Sequence, residues 1–238
     1  MARLRPADVK AVVFDAYGTV INFTEPDFIA AMAEICAEQG LEADAVDMWK
    51  KFLRASYLMR SEHHHDPVYK RYDEAWAAQF VRVFKQLRLP GDAWKAALYF
   101  KARLADAPAF EDAAPAIEAI SRRYKVALLS NADNDFLTAC LTRNNLRFDI
   151  VLTSEDARAI KPNPAIFLKM ARRLRLAPQL ILYAGDNPIP DVIGPARAGM
   201  RTAWVNRGGY RKPRGVPLPD LRVKSLAELV AHLVPDVE

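Results

Sequence analysis

The sequence contains little of what marks several large classes of protein. Only two cysteines, Cys36 and Cys140, occur in 238 residues. They lack the CxxC spacing of a metal or redox site, so we predict that both are small buried apolar residues. No apolar stretch approaches the ~20 residues that a membrane-spanning helix needs, and no signal-type apolar segment follows the basic N-terminus. We therefore expect a cytoplasmic protein without a membrane partner.

The charge is not concentrated anywhere along the chain. Lys and Arg number 34 against 29 Asp and Glu, which gives a net charge of +5. The basic residues are scattered among the acids and form no stripe interleaved with aromatics, which argues against a nucleic-acid partner and leaves small anions as the expected ligands. Hydrophobic residues make up 51%, as in ordinary globular proteins. The length allows one large domain with a smaller insert.

The most informative stretch lies close to the N-terminus. An apolar run, residues 11–14, ends in Asp15, after which Gly18 and Thr19 turn the backbone. A short apolar run bounded by turn residues predicts a strand buried on both faces. Ligand sites in open α/β sheets lie beyond the carboxyl ends of such strands. We therefore predict that Asp15 is functional and that Gly18 lets backbone N–H groups approach an anion; a simple turn cap is the alternative.

The rest of the chain shows two different patterns of predicted secondary structure. Residues from about 27 to 105 show helical periodicity without a convincing strand, whereas strands and helices alternate from Phe110 onward. Alternation predicts a parallel sheet with right-handed crossovers. The predicted fold class is therefore α/β, with a doubly wound parallel-sheet core (residues 1–22 and 109–238) and an all-helical domain (23–108) inserted after strand 1. Residues 207–219 are predicted to form a surface loop, Asp133 to be solvated, and Asp135 to cap a helix.

Four polar signatures follow predicted strands and should converge at one sheet edge: Asp15, Ser130-Asn131, Lys161, and Asp186 with Asp191. Asp15 is a competent nucleophile when it is held ionised, and Lys161 would neutralise it and bind an anionic group. Ser130 and Asn131 offer donors to an oxyanion or a phosphate. Asp186 adds a hard oxygen ligand suited to Mg²⁺. Asp191 would either hold a metal-bound water or orient Lys161.

In this order, with a helical insert after the first, the signatures resemble the haloacid dehalogenase (HAD) superfamily. The resemblance implies a Rossmann-like core with a C1-type cap and a hydrolase whose aspartate forms a covalent aspartyl intermediate that water then breaks. It further implies that Thr19 fixes the loop. For a phosphatase member it implies Mg²⁺ held by Asp15, Asp186 and the backbone of Tyr17, with Asp191 behind them.

The first motif is similar to that of 2-haloacid dehalogenases. HAD phosphatases usually carry a second aspartate two positions after the nucleophile, as a general acid and base. Tyr17 occupies that position here, and a phenol with an ordinary pKa of about 10 is a poor base at neutral pH. The sequence Asp-Ala-Tyr-Gly-Thr resembles the start of the dehalogenases, in which halide leaves without a proton.

The last motif is similar to the Mg²⁺ loop of HAD phosphatases. Gly185-Asp186 is followed five positions later by Asp191, where the dehalogenases have a Ser-Ser-Asn-x-x-Asp pattern and need no metal. Asp186 beside Asp15 without a cation would leave one carboxyl protonated; bound Mg²⁺ removes that conflict. We therefore predict a Mg²⁺-dependent phosphatase of a small phosphorylated metabolite. An (S)-2-haloacid dehalogenase is the alternative, and a weakly catalytic HAD-fold binding protein is the third possibility.

Candidate substrate-binding residues come from both regions: Gly18 and Asn187 in the core, and Lys50, Arg54 and Arg60 in the cap. The cap arginines would select an anion, with a surface salt bridge as an equal alternative. His63, His64 and His65 are consecutive and do not share one helix face, which argues against a single metal site. A solvated cap loop is favoured, and a substrate-facing lip is the alternative. The apolar helices of the cap leave a monomer and a homodimer both open.

Overall fold

The computed structural model describes residues 4–61 and 69–234, without side-chain placement for residues 57–61. The chain divides into two compact units. The core unit contains Met1–Asn22, Pro108–Asn131 and Asn144–Glu238, and the helical unit contains Phe23–Ala107 and Ala132–Arg143. The unit boundaries near residues 22 and 107 lie at the two ends of the predicted insert, but the helical unit also takes up a segment from the middle of the predicted core.

One parallel sheet organises the core unit, and within the described ranges it has six strands: β1 Ala11–Phe14, β2 Lys125–Ser130, β3 Ile150–Thr153, β4 Ile181–Gly185, β5 Arg201–Val205 and β6 Leu221–Val223. Their spatial order is β3-β2-β1-β4-β5-β6. All four residues of β1 are buried, as its continuous apolar sequence predicts. The prediction of a doubly wound parallel sheet is confirmed. The sequence pattern missed β6, because three residues that include an exposed Arg222 carry no periodic signal.

The helices of the core unit cover the sheet: α5 Ala113–Ser121, α7 Ser154–Ala157, α8 Pro164–Leu174, α9 Gly194–Arg197 and α10 Leu226–Leu233, where numbering follows the whole chain. Helix α8 begins with Pro164 after an Asn163 cap whose side chain accepts from the N–H of Ala165 at 2.9 Å. Its apolar face packs on β1 and β2 side chains such as Val13 and Leu129. Because Lys161 lies three residues before α8, this packing helps to hold the Lys161 loop against the sheet.

The segment before α9 differs from the predicted helix over residues 192–198. Residues Ile189–Ile193 form a π-helical turn, and a short α-helix follows it. Pro195 has no N–H to donate to the carbonyl of Asp191 four positions earlier, so a regular α-helical ladder cannot form there. The wide turn places Asp191, which is buried, at the carboxyl edge of the sheet.

The helical unit consists of α1 Glu25–Gln39, α2 Ala45–Ser61, α3 Tyr72–Leu87, α4 Ala93–Ala105 and α6 Asn134–Arg143. Aromatic side chains fill its interior: Phe28 stacks on Trp49 with ring centroids 4.7 Å apart, and Trp76 meets Phe100 at 5.1 Å. Among the described residues, no helix has the length and apolarity that crossing a membrane requires.

Helix α6 groups with the helical unit because Phe136 packs against Trp76 at 5.6 Å. The predictions for the two aspartates at its start are wrong. Asp133 is fully buried and accepts hydrogen bonds from the Tyr69 hydroxyl and from the N–H of Tyr72. Asp135 lies within the helix rather than before it, because α6 begins at Asn134. Partners distant in sequence, which no local pattern reveals, bury Asp133.

Candidate active site

The sheet places Asp15 between two other strand ends. Asp15 directly follows β1, and its N–H donates to the carbonyl of Ala184 in β4 at 2.9 Å. Because β1 lies between β2 and β4, Ser130 at the end of β2 and Asp186 just after β4 flank Asp15. Asp15, Ser130 and Lys161 are buried, and Asp186 is partly exposed. The expected convergence of distant segments at one sheet edge is therefore present.

A tight turn, which we call the nucleophile turn (residues 16–21), follows Asp15. The carbonyl of Ala16 accepts the N–H groups of three turn residues, from Thr19 to Ile21. Gly18 has φ +86°, and a Cβ there would lie 2.6 Å from the carboxyl group of Asp186. Gly18 is therefore required both by its backbone conformation and by the close approach of Asp186. The Thr19 hydroxyl donates to Asp186 Oδ1 at 3.3 Å and ties the turn to the end of β4.

Lys161 joins two of the carboxylates. Its Nζ lies 2.6 Å from Asp15 Oδ1 and 2.7 Å from Asp191 Oδ1. Asn131 holds the lysine backbone from both sides: its Oδ1 accepts the Lys161 N–H at 2.7 Å, and its Nδ2 donates to the Lys161 carbonyl at 3.2 Å. The sequence predicts that Asn131 donates to an oxyanion or a phosphate; its contacts here instead position Lys161.

Tyr183 is a member of this site that the sequence interpretation missed. It lies inside β4, is fully buried, and its hydroxyl is 2.9 Å from Lys161 Nζ. The hydroxyl also donates to the Leu129 carbonyl at 3.1 Å and lies 3.3 Å from Asp191 Oδ1. A tyrosine in an otherwise apolar buried strand is a usable signal, because a buried phenol needs a partner.

The loop after β4 is held by its own backbone and by a tryptophan. Asp191 Oδ2 accepts the N–H of Asn187 at 3.0 Å, while the Trp204 indole donates to the main-chain carbonyl of Asp186 at 2.8 Å. A Cβ on Gly185 would lie 2.4 Å from Asp191 Cγ, so Gly185 leaves the space that Asp191 occupies. Of the two roles predicted for Asp191, the contacts match the one that orients Lys161.

The site has too little positive charge for its carboxylates. Oxygen atoms of Asp15, Asp186 and Asp191 all lie within 4.8 Å of one another, with the Lys161 ammonium in contact with two of the three carboxylates. Burial raises the pKa of Asp15 to about 6 despite the opposing effect of Lys161. Burial and then the charge of Asp191 raise the pKa of Asp186 well above its ordinary value. Hard oxygen donors that lack a counter-charge fit a Mg²⁺ ion.

Lys161 itself is held in the charged form. Burial disfavours the ammonium, but the adjacent Asp15 and Asp191 carboxylates outweigh it and raise the pKa of Lys161 well above its ordinary value. Burial likewise raises the pKa of Tyr183, so the phenol stays protonated and can donate. The site therefore holds a charged lysine against Asp15 and a protonated phenol against that lysine.

The remaining predicted residues lie in different settings. Tyr17 is half-buried in the nucleophile turn and forms a backbone bridge with Ile21. Asn187 is exposed, and its side chain accepts the N–H of Ile189 at 3.2 Å. Lys50 and Arg54 are exposed on α2 of the helical unit. The Arg60 side chain and the three consecutive histidines, residues 63–65, lie outside the described residues.

Comparison with known proteins assigns the family. The profile of the haloacid dehalogenase-like hydrolases matches residues 9–199. The (S)-2-haloacid dehalogenase 4A of Burkholderia cepacia is 30% identical over 238 residues, 96% of each chain. The phosphoserine phosphatase of Thermus thermophilus is 37% identical over 114 residues, 47% of this chain and 45% of that protein.

The solved structure of the L-2-haloacid dehalogenase from Xanthobacter autotrophicus has the same fold. Its TM-score is 0.77 at 21% identity, and the match covers 96% of this chain and 100% of that one. The fold and the site thus define a hydrolase of the HAD superfamily with a Rossmann-like core. The chain belongs to the haloacid dehalogenase-like hydrolase family, as its motifs predict.

Proposed function

We propose that this hydrolase is a Mg²⁺-dependent phosphatase of a small phosphorylated metabolite, with Asp15 as the nucleophile. One observation carries the proposal: Asp15, Asp186 and Asp191 crowd within 4.8 Å, and Lys161 supplies a single ammonium group. Three ionised carboxylates and one ammonium leave two negative charges uncompensated. A divalent cation cancels that excess and keeps Asp15 ionised for attack.

The chain offers a suitable set of ligands for this ion. Asp15, Asp186 and the main-chain carbonyl of Tyr17 would hold it, while Asp191 is engaged with Lys161. When bound, Mg²⁺ would neutralise phosphate oxygens and stabilise the charge that develops on the transferred group. The exposed part of Asp186 and the glycine beside it, Gly18, leave room for an anion at the same edge.

The chemistry follows from the positions of the side chains. Lys161 Nζ holds Asp15 Oδ1 at 2.6 Å, which aims the carboxylate and leaves Oδ2 for attack on phosphorus. The bond from phosphorus to the leaving-group oxygen breaks as the aspartyl phosphate forms. Ser130, at the end of the neighbouring strand, offers its hydroxyl to a phosphate oxygen. Water then attacks phosphorus, loses a proton to solvent and releases inorganic phosphate, which regenerates the Asp15 carboxylate.

Tyr17 restricts the class of substrate. A phenol in the position of the usual acid is a weak proton donor to a departing alkoxide. Substrates whose leaving group is already a stable anion need no such donor. We therefore propose acyl, enol or aryl phosphates as better substrates than simple alkyl phosphates.

The second candidate is an (S)-2-haloacid dehalogenase, in which Asp15 would displace halide from carbon and water would cleave the ester. Tyr17 in the first motif favours it. So does similarity over 96% of the chain to the Burkholderia cepacia dehalogenase, against 47% for the Thermus thermophilus phosphatase. Asp186 opposes it, because a carboxylate beside Asp15 that lacks a counter-charge repels an anionic haloacid.

Asp186→Asn separates the two candidates, because it should abolish a phosphatase activity but keep or increase a dehalogenase activity. With 4-nitrophenyl phosphate, we expect nitrophenolate release that requires Mg²⁺, stops with EDTA, and disappears in Asp15→Asn and in Asp186→Asn. A dehalogenase would release chloride from (S)-2-chloropropionate in EDTA, and Asp186→Asn would keep or increase that release. Chloride release of this kind overturns the phosphatase proposal. If the wild type hydrolyses neither compound, the third possibility, a weakly catalytic binding protein, replaces both.

A further inference from the structure

Arg207, in the segment after β5, binds the backbone of the nucleophile turn. Its Nη2 donates to the carbonyl of Thr19 at 2.9 Å. The same guanidinium forms a two-pronged pair with Asp112, through bonds of 2.8 and 3.1 Å, and lies 3.8 Å from the centroid of the Phe110 ring. The planar guanidinium thus fills one place between a carboxylate, an aromatic face and a carbonyl, which a lysine ammonium cannot do.

Asp112 is itself anchored, so the arginine has a fixed support. Asp112 Oδ2 accepts the N–H of Leu226 at the start of α10 at 2.8 Å. Burial acts to raise the pKa of Asp112, but the bonds from Arg207 and from the Leu226 N–H outweigh it and lower that pKa. The N–H of Phe110 donates to the carbonyl of Val20 at 3.0 Å, so the segment that carries Asp112 also contacts the nucleophile turn directly.

The contact with Thr19 bears on the reacting groups. Thr19 is fully buried, and its hydroxyl donates to Asp186 Oδ1 at 3.3 Å. The same turn starts one residue after Asp15, and Gly18 within it lies against the Asp186 carboxyl. A shift of the Thr19 carbonyl therefore moves both the turn and the hydroxyl that holds Asp186.

We propose that Arg207, supported by Asp112, is a positioning residue that sets the placement of the nucleophile turn and hence the separation of Asp15 from Asp186. Arg207 does not touch the reacting atoms; it acts through the Thr19 carbonyl. The proposal rests on the proposed function only for the choice of substrate, because the contacts themselves do not depend on the reaction.

A second arginine–aspartate pair in the core unit provides a matched control. Arg201 of β5 binds Asp220 at 3.1 Å, and Asp220 also accepts a main-chain N–H, that of Thr202, at 2.8 Å. This pair joins β5 to the residue that precedes β6 and not to the nucleophile turn. Arg201→Ala thus removes an arginine–aspartate ion pair of the core unit, with the same loss of side chain, away from the nucleophile turn.

The test compares Arg207→Ala with Arg201→Ala on two measurements. For turnover of whichever compound the wild type hydrolyses, we expect kcat of Arg207→Ala to fall about 10- to 100-fold with a smaller change in KM, since misplacement of about 1 Å has such effects. Arg201→Ala should stay within about threefold. Guanidinium at millimolar concentration should restore part of the activity of Arg207→Ala, whereas methylammonium, which is not planar, should not.

The second measurement is amide hydrogen exchange of residues 16–21. We expect faster exchange in Arg207→Ala than in Arg201→Ala, with Arg207→Lys between Arg207→Ala and the wild type. This measurement reads the same whether the protein releases phosphate, chloride or neither, so failure of the proposed function would not affect it. Wild-type exchange and turnover in Arg207→Ala would overturn the proposal. If that variant does not fold, Asp112→Asn, which removes the support of Arg207, must show the faster exchange instead.

Discussion

Two ionic clusters, one in each unit, have similar composition and opposite electrostatics. In the core unit, three carboxylates share the ammonium of Lys161. In the helical unit, Asp73, Asp133 and Asp135 surround two cations, Arg71 and Lys101, at 2.5–4.0 Å. Burial acts to raise the pKa of Asp73 and Asp135, but the two cations outweigh it and lower both values. In the core, burial and neighbouring carboxylates prevail, and the pKa values of Asp15 and Asp186 rise.

The comparison teaches how to separate a structural cluster from a functional one. A cluster whose cations outweigh the effect of burial, and so lower the pKa values of its carboxyl groups, stabilises the fold. A buried cluster with excess charge of one sign lowers stability and is retained where chemistry needs it. Here the core cluster has one cation for three carboxylates and the helical cluster has two cations for three. This ratio, together with exposure to water, distinguishes the functional cluster from the structural one.

The largest expected effect is on turnover. Asp15→Asn should lower kcat by more than about 10³-fold, because an amide cannot replace a carboxylate nucleophile. Asp73→Asn, in the helical unit, should leave kcat within about threefold. Single-turnover assays on both variants, with circular dichroism to verify folding, make the comparison. Substantial activity in Asp15→Asn would show that Asp15 is not the nucleophile.

The next prediction compares a glycine at the site with a glycine in the helical unit. Gly18 and Gly40 both have positive φ, but a Cβ on Gly40 meets nothing within 4 Å whereas one on Gly18 meets Asp186. Gly18→Ala should lower kcat about 100-fold through displacement of Asp186. Gly40→Ala should cost about 1 kcal/mol of unfolding free energy and no activity. Equal kinetic effects in the two variants would contradict the close approach of Gly18 to the carboxyl.

Substitution of one aspartate in each cluster should change the stability of the metal-free protein in opposite directions. Asp186→Asn relieves crowding of like charges and should raise the free energy of unfolding by about 1 kcal/mol. Asp73→Asn removes a carboxylate that Arg71 and Lys101 hold in its charged form in the fold, and should lower it by about 1–3 kcal/mol. Urea unfolding in EDTA at pH 7 measures both. A loss of stability in Asp186→Asn would mean that its carboxylate is compensated within the fold.

The last expected effect is the pH dependence of that stability. The folded-state pKa of Asp15 is about 6 against an ordinary 3.8, so the folded state binds more protons than the unfolded state between these values. Stability in EDTA should therefore fall as pH rises from about 4 to about 6.5, by about 2 kcal/mol at most from this group. The lowered pKa values of Asp73 and Asp135 act in the opposite sense and remove stability only below about pH 4. Asp15→Asn should flatten the first slope in thermal unfolding scans, and an unchanged slope would contradict the raised pKa.

Local sequence patterns determined the parallel sheet and the segments that meet at its edge. Short apolar runs that end in polar residues are local signals, and the rule that parallel strands share one carboxyl edge brings Asp15, Ser130 and Asp186 together without further information. The chain order of these motifs, with the helical insert after the first, was also sufficient to predict the family.

Tertiary packing decided the rest. In the fold, Asn131 binds the backbone of Lys161, and Tyr183, inside a strand, contacts the Lys161 ammonium. Asp133 is buried against Tyr69. Arg207, paired with Asp112, binds the Thr19 carbonyl. Each of these contacts joins residues at least 22 positions apart in the chain, as between Lys161 and Tyr183. A side chain's partner at that distance depends on how whole elements pack, and no periodicity or turn signal in the sequence encodes it.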